Sequence, residues 1–282
     1  MHPVISTTDL AALLAGEPST LPTVLDVRWR LGGPRGADSY RAGHLPGAVF
    51  VDLDTELAGP PGSAGRHPLP GSAALQRVLR AAGVRSGGTV VVYDDGDGSV
   101  AARAWWLLRW AGHEEVAVLD GGYAAWLEEG WRIDTGVPSP ELGDIVVKEG
   151  GMPVLDADAA EGTARSGVLL DARAPQRYRG EVEPVDPRPG HIPGAVNAPF
   201  AAHTGEDGRW LAPSELAAHF AALGVTDDVA VGAYCGSGVT ASSIVLALAL
   251  AGRPEPAPLY PGSWSEWSAD PGRPAVTGEE PG

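Results

Sequence analysis

Positive charge is scarce in this 282-residue sequence. Its 20 lysines and arginines stand against 36 aspartates and glutamates, a formal net charge of −16. A surface that acidic repels phosphate backbones and anionic headgroups, which argues against nucleic-acid and membrane-surface partners. The only lysine, Lys148, sits in VVKEGG, outside any glycine-rich phosphate loop. A Walker-type nucleotide site is thereby excluded, and a Schiff-base mechanism would have to use a lysine in an apparent linker. Cysteine is as rare: Cys235 stands alone, so neither an internal disulfide nor a cysteine-based zinc site can form. No metal or organic cofactor is implied. The longest apolar run, 244–251, falls far short of the ~20 residues a membrane helix needs. The N-terminal stretch shows neither a basic region nor a cleavage site for export, so a cytoplasmic location is expected. What remains, 44% hydrophobic and 20% charged, is a globular composition with ample material for a core.

The chain repeats itself. Ala42-Gly-His-Leu-Pro-Gly-Ala-Val49 answers Pro189-Gly-His-Ile-Pro-Gly-Ala-Val196, Leu25-Asp-Val-Arg28 answers Leu170-Asp-Ala-Arg173, and Leu119-Asp-Gly-Gly-Tyr-Ala-Ala-Trp126 answers Tyr260-Pro-Gly-Ser-Trp-Ser-Glu-Trp267. The spacings drift from 147 to 145 to 141 residues and keep their order. That is a duplicated domain with small loop changes rather than a solenoid, whose periods are ~20–50 residues. The expected organisation is a first domain over 1–135, a linker over 136–152 and a second domain over 153–282.

Within each half the pattern alternates. Apolar runs at 23–27, 89–93, 168–171 and 229–234 read as buried strands. Residues 100–111 and 240–251 carry helical spacing and are each followed by glycine, while 72–82 and 214–223 read as amphipathic helices opening on serine N-caps. Strands alternating with helices predict an α/β fold with a mainly parallel sheet in each half. Ligands on such sheets bind at the carboxyl ends of strands, which draws attention to the loops after Tyr93 and Tyr234.

After Tyr234 the chain reads Cys235-Gly-Ser-Gly-Val-Thr240 and enters a helix near Ala241. Such a junction aims backbone N–H groups into the loop, backed by the positive end of a helix dipole, and stabilises a thiolate. Gly236 and Gly238 let the backbone curl, and Ser237 and Thr240 add hydroxyl donors. A lone cysteine is ordinarily a buried, inert hydrophobe, but this setting favours a nucleophile. A cysteine phosphatase would need an arginine six residues on, where Ala241 stands. A cysteine hydrolase needs a general base, and no histidine lies nearby in sequence. A thiolate ringed by N–H donors is suited to accept sulfur and hold it as a persulfide. At the corresponding place in the first half stands Asp94, in the acidic loop YDDGDGS.

The duplicated [AP]GH[IL]PGA signature, the strand–Cys–loop–helix and the closing YPGSWSEW together resemble the two-domain rhodanese superfamily, over nearly the whole chain. The loop CGSGVTA is similar to that of its 3-mercaptopyruvate sulfurtransferases. The resemblance implies two tandem rhodanese-like domains, the first inert through Asp94 and the second catalytic through Cys235. It also implies that the loop residues Gly236, Gly238, Val239 and Thr240 bind substrate and that Arg177 grips the donor carboxylate, as a guanidinium fork can. The family's second arginine, in EPEPRDG, is answered only by a displaced Arg188 in the shorter EVEPVDPRPG. The family further implies an Asp–His–Ser relay, here Asp54, His67 and Ser237, to protonate the leaving enolate. His44, His191, Asp26 and Asp171 occur in both halves, and chemistry confined to one half does not explain them. They are read as structural, as are Trp126 and Trp267.

The leading expectation is therefore a sulfurtransferase moving sulfur from 3-mercaptopyruvate through Cys235 to a thiol or cyanide. The expected partners are a small-molecule sulfur donor and a thiol acceptor such as thioredoxin or a sulfur-carrier protein. Two alternatives stay open. One is thiosulfate as donor, although Gly236 and Ser237 bring no charge to meet a dianion. The other is a non-catalytic rhodanese-like sulfur-relay or binding module, for which the retained cysteine would be superfluous.

Overall fold

In the computed structural model, which describes residues 1–282, each apolar run expected as a buried strand forms one. The chain divides into two units by its internal contacts. The first comprises Met1–Gly59, Pro70–Met152 and Gly205–Trp210, and the second Pro60–Leu69, Pro153–Thr204 and Leu211–Gly282.

The first unit runs β1 (Val4–Ile5), α1 (Thr7–Leu14), β2 (Thr23–Asp26), α2 (Gly36–Ala42), β3 (Val49–Phe50), α3 (Ser72–Ala81), β4 (Val90–Tyr93), α4 (Ala101–Trp110), β5 (Val116–Leu119) and α5 (Gly122–Glu128). Its sheet is parallel throughout, in the order β1-β5-β4-β2-β3. The central strands β4 and β5 are buried along their whole length, which is why VVVY and VAVL read as unbroken apolar runs rather than alternating ones. The second unit runs α6 (Ala157–Ser166), β6 (Val168–Asp171), α7 (Pro175–Tyr178), β7 (Ala195–Asn197), α8 (Pro213–Ala222), β8 (Val231–Tyr234), α9 (Ala241–Leu250) and α10 (Ser263–Trp267). Its parallel sheet has the order β7-β6-β8. Single bridges from Ala233 to Leu259 and from Leu259 to Val154 continue the sheet where β5 and β1 stand in the first unit. The two units thus share one strand order.

The serine N-caps expected for two helices are not caps. Ser72 is the first residue of α3 behind Gly71, and α8 begins one residue before Ser214, at Pro213. Proline's fixed φ suits the first helical position, and Glu215 accepts the Ala212 N–H at 3.0 Å, so the end is satisfied from inside the helix. The stretch expected as a linker lies along the first unit: Gly143 donates to the Arg80 carbonyl, Lys148 to that of Ala111 and Gly151 to that of Trp110, and Ile145 is buried.

The repeated residues build one buried network twice. Asp26 accepts the Arg28 amide and guanidinium, and Arg28 also donates to the Gly43 carbonyl at 2.7 Å. Asp171, Arg173 and the Gly190 carbonyl repeat this arrangement. The Tyr93 hydroxyl donates to Asp26 at 2.5 Å and accepts the Leu45 N–H, as the Tyr234 hydroxyl accepts that of Ile192. Burial, then the neighbouring aspartate, pushes both tyrosine hydroxyls far above their ordinary range. His44 and His191 stack on Tyr40 and Tyr178 at 4.0 and 3.7 Å between ring centroids, and bond the carbonyls of those tyrosines. Trp126 in one unit and Trp264 and Trp267 in the other complete the apolar clusters. This framework fixes the carboxyl ends of β4 and β8, from which the two loops of interest emerge.

Candidate active site

The loop Cys235–Thr240 joins β8 to α9. Cys235 is buried, and its Sγ accepts the Gly238 N–H at 3.1 Å. Gly238 is left-handed, with φ +78°, and a Cβ there would stand 2.4 Å from the Pro261 carbonyl oxygen. The segment that closes over the loop is 260–265. Ser263 holds φ +52°, the only positive value outside glycine, and its Oγ accepts the Cys235 N–H while donating to the Tyr260 carbonyl. The N–H groups of Trp264 and Ser265 donate to the carbonyls of Cys235 and Gly236. The repeated YPGSWSEW is therefore the clamp that shapes the cysteine loop. Val239 is buried, its carbonyl accepting the Ser242 N–H, and Thr240 caps α9, its carbonyl accepting from Ser243.

The short segment Pro60–Leu69 brings two side chains to this loop. His67 is buried with its Nδ1 at 2.7 Å from Ser237 Oγ, so the structure unites these two expected residues. Asp54 lies in the first unit, where its carboxylate accepts the Trp29 indole N–H at 2.9 Å. Arg66 was not foreseen. A Cβ on Gly236 would lie 3.0 Å from Arg66 Nη2 and 3.3 Å from Arg177 Nη1, so two guanidiniums face the residue beside the cysteine. Arg66 also donates its amide to Ser265.

Both guanidiniums are held by carboxylates of the shortened EVEPVDPRPG stretch. Asp186 pairs with Arg66 Nη1 through one oxygen and with Arg177 Nη2 at 3.0 Å through the other. Glu183 takes Arg177 at 2.7 Å and receives the N–H groups of Val185 and Asp186. Burial pushes the Asp186 carboxyl above its ordinary value despite the adjacent Arg66. Burial works the same way on Glu183, but Arg177 and the two N–H groups outweigh it and hold this carboxyl low. Arg188 is elsewhere in the design: its guanidinium donates to the carbonyls of Trp267, Ser268, Asp270 and Arg273, which makes it a brace for the turn after α10. The displaced arginine thus has a structural post. The clue to Arg66 was its place immediately before His67 in GRHPLP, although nothing in the sequence paired it with Asp186.

The corresponding first-unit loop carries Asp94 at the end of β4. Its carboxylate accepts four backbone N–H groups, from Gly96 and Gly98 on one oxygen and from Val100 and Ala101 on the other, at 2.9–3.0 Å. Burial and the charge of Asp97 push its carboxyl up to about 6. The loop is an anion cradle filled by its own side chain. No group of three or more histidine, cysteine, aspartate or glutamate side chains is arranged to hold a metal ion, and no helix is long and apolar enough to cross a membrane.

The rhodanese-like domain model matches the chain twice, over residues 6–129 and 155–270. SseB of Mycobacterium tuberculosis, provisionally named a thiosulfate sulfurtransferase, is 47% identical over 280 residues, covering 98% of this chain and 97% of its own. A Pseudomonas aeruginosa protein provisionally named a 3-mercaptopyruvate sulfurtransferase is 48% identical over 284 residues, covering 98% of both. Among solved structures, SseA from Escherichia coli, a 3-mercaptopyruvate sulfotransferase, superposes with a TM-score of 0.82 at 32% identity, over 94% of this chain and all of that one. With two matched domains, the shared fold and relatives of this similarity along almost the full length, the chain belongs to the rhodanese family and is a sulfurtransferase.

Proposed function

We propose that this sulfurtransferase takes sulfur from 3-mercaptopyruvate onto Cys235 and passes it to a thiol. In this reading the second of two tandem domains is catalytic and the first, carrying Asp94, is not. The Cys235 thiolate attacks the thiol sulfur of the donor, forming an S–S bond as the donor C–S bond breaks. The electron pair leaves on the pyruvate enolate. That carbon takes up the proton the donor thiol gives up, so the products are pyruvate and a Cys235 persulfide. An acceptor thiolate then attacks the outer sulfur and restores the Cys235 thiolate.

The observation that carries this reading is a single buried thiol whose next two residues, Gly236 and Ser237, meet the Arg177 guanidinium and the His67 ring. Arg177 suits a carboxylate because its fork can bind both oxygens, and Ser237–His67 stands ready as a proton carrier for the enolate. Gly236, Gly238, Val239 and Thr240 supply the loop backbone around the sulfur. Asp54 enters as the relay's carboxylate through the family resemblance. Thioredoxin or a sulfur-carrier protein is the acceptor we favour, and a reducing cytoplasm suits a catalytic cycle that needs its one thiol free.

Thiosulfate is the second reading, favoured by the name of the 47%-identical relative from Mycobacterium tuberculosis. Steady-state rates with both donors separate the two. Mass spectrometry after donor exposure should find the protein ~32 Da heavier, and the Cys235→Ser variant should show neither adduct nor turnover. Turnover in that variant would end the persulfide mechanism, and faster turnover of thiosulfate than of mercaptopyruvate would reverse the donor.

A further inference from the structure

Arg66 and Arg177 arrive from distant parts of the sequence and meet at one carboxylate. Asp186 binds Arg66 with one oxygen and Arg177 with the other, and its side chain is 2% exposed, so the bridge is sheltered from water. Each guanidinium spends one Nη on this bridge and turns the other toward Gly236, the residue next to the nucleophile. The nitrogens facing the loop, Arg66 Nη2 and Arg177 Nη1, make no hydrogen bond to protein. They are N–H donors left over beside Gly236, one residue from the sulfur that a donor molecule has to reach.

The charges close to zero. Arg66, Arg173 and Arg177 are matched by Asp171, Glu183 and Asp186, all joined in one chain of contacts. Such a site offers directed hydrogen bonds with little net positive potential. A planar carboxylate of charge −1 draws its binding mostly from fork geometry and fits this arrangement. A dianion draws more from net charge and is served poorly.

We propose that Arg66 is a second donor-binding residue, acting with Arg177, and that Asp186 is a positioning residue that aligns both guanidiniums and, by neutralising them, selects a monoanionic α-keto acid donor over a dianionic one. The proposal rests on the reading of Cys235 as the sulfur-accepting nucleophile.

The test compares mercaptopyruvate, thiosulfate and the uncharged mercaptoketone in which methyl replaces the carboxylate. Arg66→Gln should lower kcat/KM for mercaptopyruvate about ten- to a hundredfold, while the mercaptoketone loses less than about threefold. Arg66→Lys should fall between, because an ammonium keeps the charge without the fork. Asp186→Asn leaves a net positive charge in the clamp and should raise the ratio of thiosulfate to mercaptopyruvate kcat/KM about tenfold or more. A merely structural Asp186 would lower both donors alike and leave that ratio unmoved, which would overturn its role. An Arg66→Gln loss that is equal on mercaptopyruvate and mercaptoketone, or absent from both, would overturn the role of Arg66. If the wild-type protein gains no sulfur on Cys235 from any donor, the underlying nucleophile assignment has failed instead.

Discussion

Replacing Gly238 with alanine tests whether the cysteine loop is held in shape by the segment above it. Gly238 has φ +78°, where a non-glycine residue costs about 1–2 kcal/mol. Its added Cβ would meet the Pro261 carbonyl oxygen at 2.4 Å and the Pro261 Cα at 2.9 Å, backbone atoms that no side-chain rotation can move aside. Relief requires Pro261 and Gly238 to part by about 1 Å, and an off-rotamer or overpacked core site of that kind costs a further ~1–3 kcal/mol. Pro261 leads to Ser263, whose Oγ receives the Cys235 N–H, and Gly238 itself donates to Sγ. The shift therefore reaches the sulfur from two sides. We expect Gly238→Ala to lose about 2–5 kcal/mol in urea unfolding and about a hundredfold in kcat/KM with every donor. Gly87→Ala is the control: φ is +73° and nothing lies within 4 Å of the added Cβ, so it should show the conformational cost alone. Equal stability losses in the two variants, with activity retained in Gly238→Ala, would refute the idea that Pro261 and Ser263 shape the loop.

Three further outcomes are expected. Ser237→Ala and His67→Gln should each lower mercaptopyruvate turnover about a hundredfold. Thiosulfate turnover should change much less, because its departing sulfite needs no proton, and parallel losses with both donors would remove the proton-carrying role. Arg177→Ala should cut kcat/KM for mercaptopyruvate about ten- to a hundredfold with partial recovery in Arg177→Lys, as measured by steady-state kinetics. An unchanged value for Arg177→Ala would displace it from the donor site. His203 is wholly buried beside Phe220 and His219, and burial, with His219 adding, lowers its pKa to about 3. Its contribution to stability is complete above about pH 6.5 and is lost as pH falls from there toward 3, by about 2 kcal/mol between pH 7 and 5. His203→Phe should lose about 2 kcal/mol less than wild type over that interval in urea titrations, and equal losses would show that His203 is not held neutral.

The buried strands and the strand–loop–helix that carries Cys235 were legible because both depend on short-range pattern. Strands buried on both faces write themselves as VVVY and VLLD, and duplication let each half check the other. The shared Asp26–Arg28–Tyr93 and Asp171–Arg173–Tyr234 networks show why the repeated polar residues persist in a half without a thiol: they pin the strand ends. The helix starts were misread because Pro213 and Glu215 satisfy α8 without a serine cap, a choice between two adequate solutions that the sequence leaves open. Arg66 and Asp186 were illegible for a different reason. Their partnership depends on where Pro60–Leu69 comes to rest, and a ten-residue segment without helix or strand carries no periodicity from which to infer that. The post of Arg188 was equally out of reach, since a matching residue type near a motif says nothing about which carbonyls its guanidinium will meet.

The two loops at the ends of β4 and β8 explain how duplication can separate stability from chemistry. In the first, Asp94 places two oxygens beyond its Cβ, and four N–H groups close on them. A persulfide on Cys235 would likewise place two heavy atoms, Sγ and the outer sulfur, beyond Cβ. The loop positions answering those four donors are Ser237, Val239, Ala241 and Ser242. Of these, Ser242 already gives its N–H to the Val239 carbonyl, while Sγ at rest receives the N–H of Gly238. The carboxylate loop is filled by an anion that is part of the chain and that it can never release. The cysteine loop supplies only the inner atom of the pair, so under the proposed mechanism its cradle is completed by the sulfur that the donor brings. Under that mechanism, anion binding that serves as structure in one unit would hold the transferred sulfur in the other.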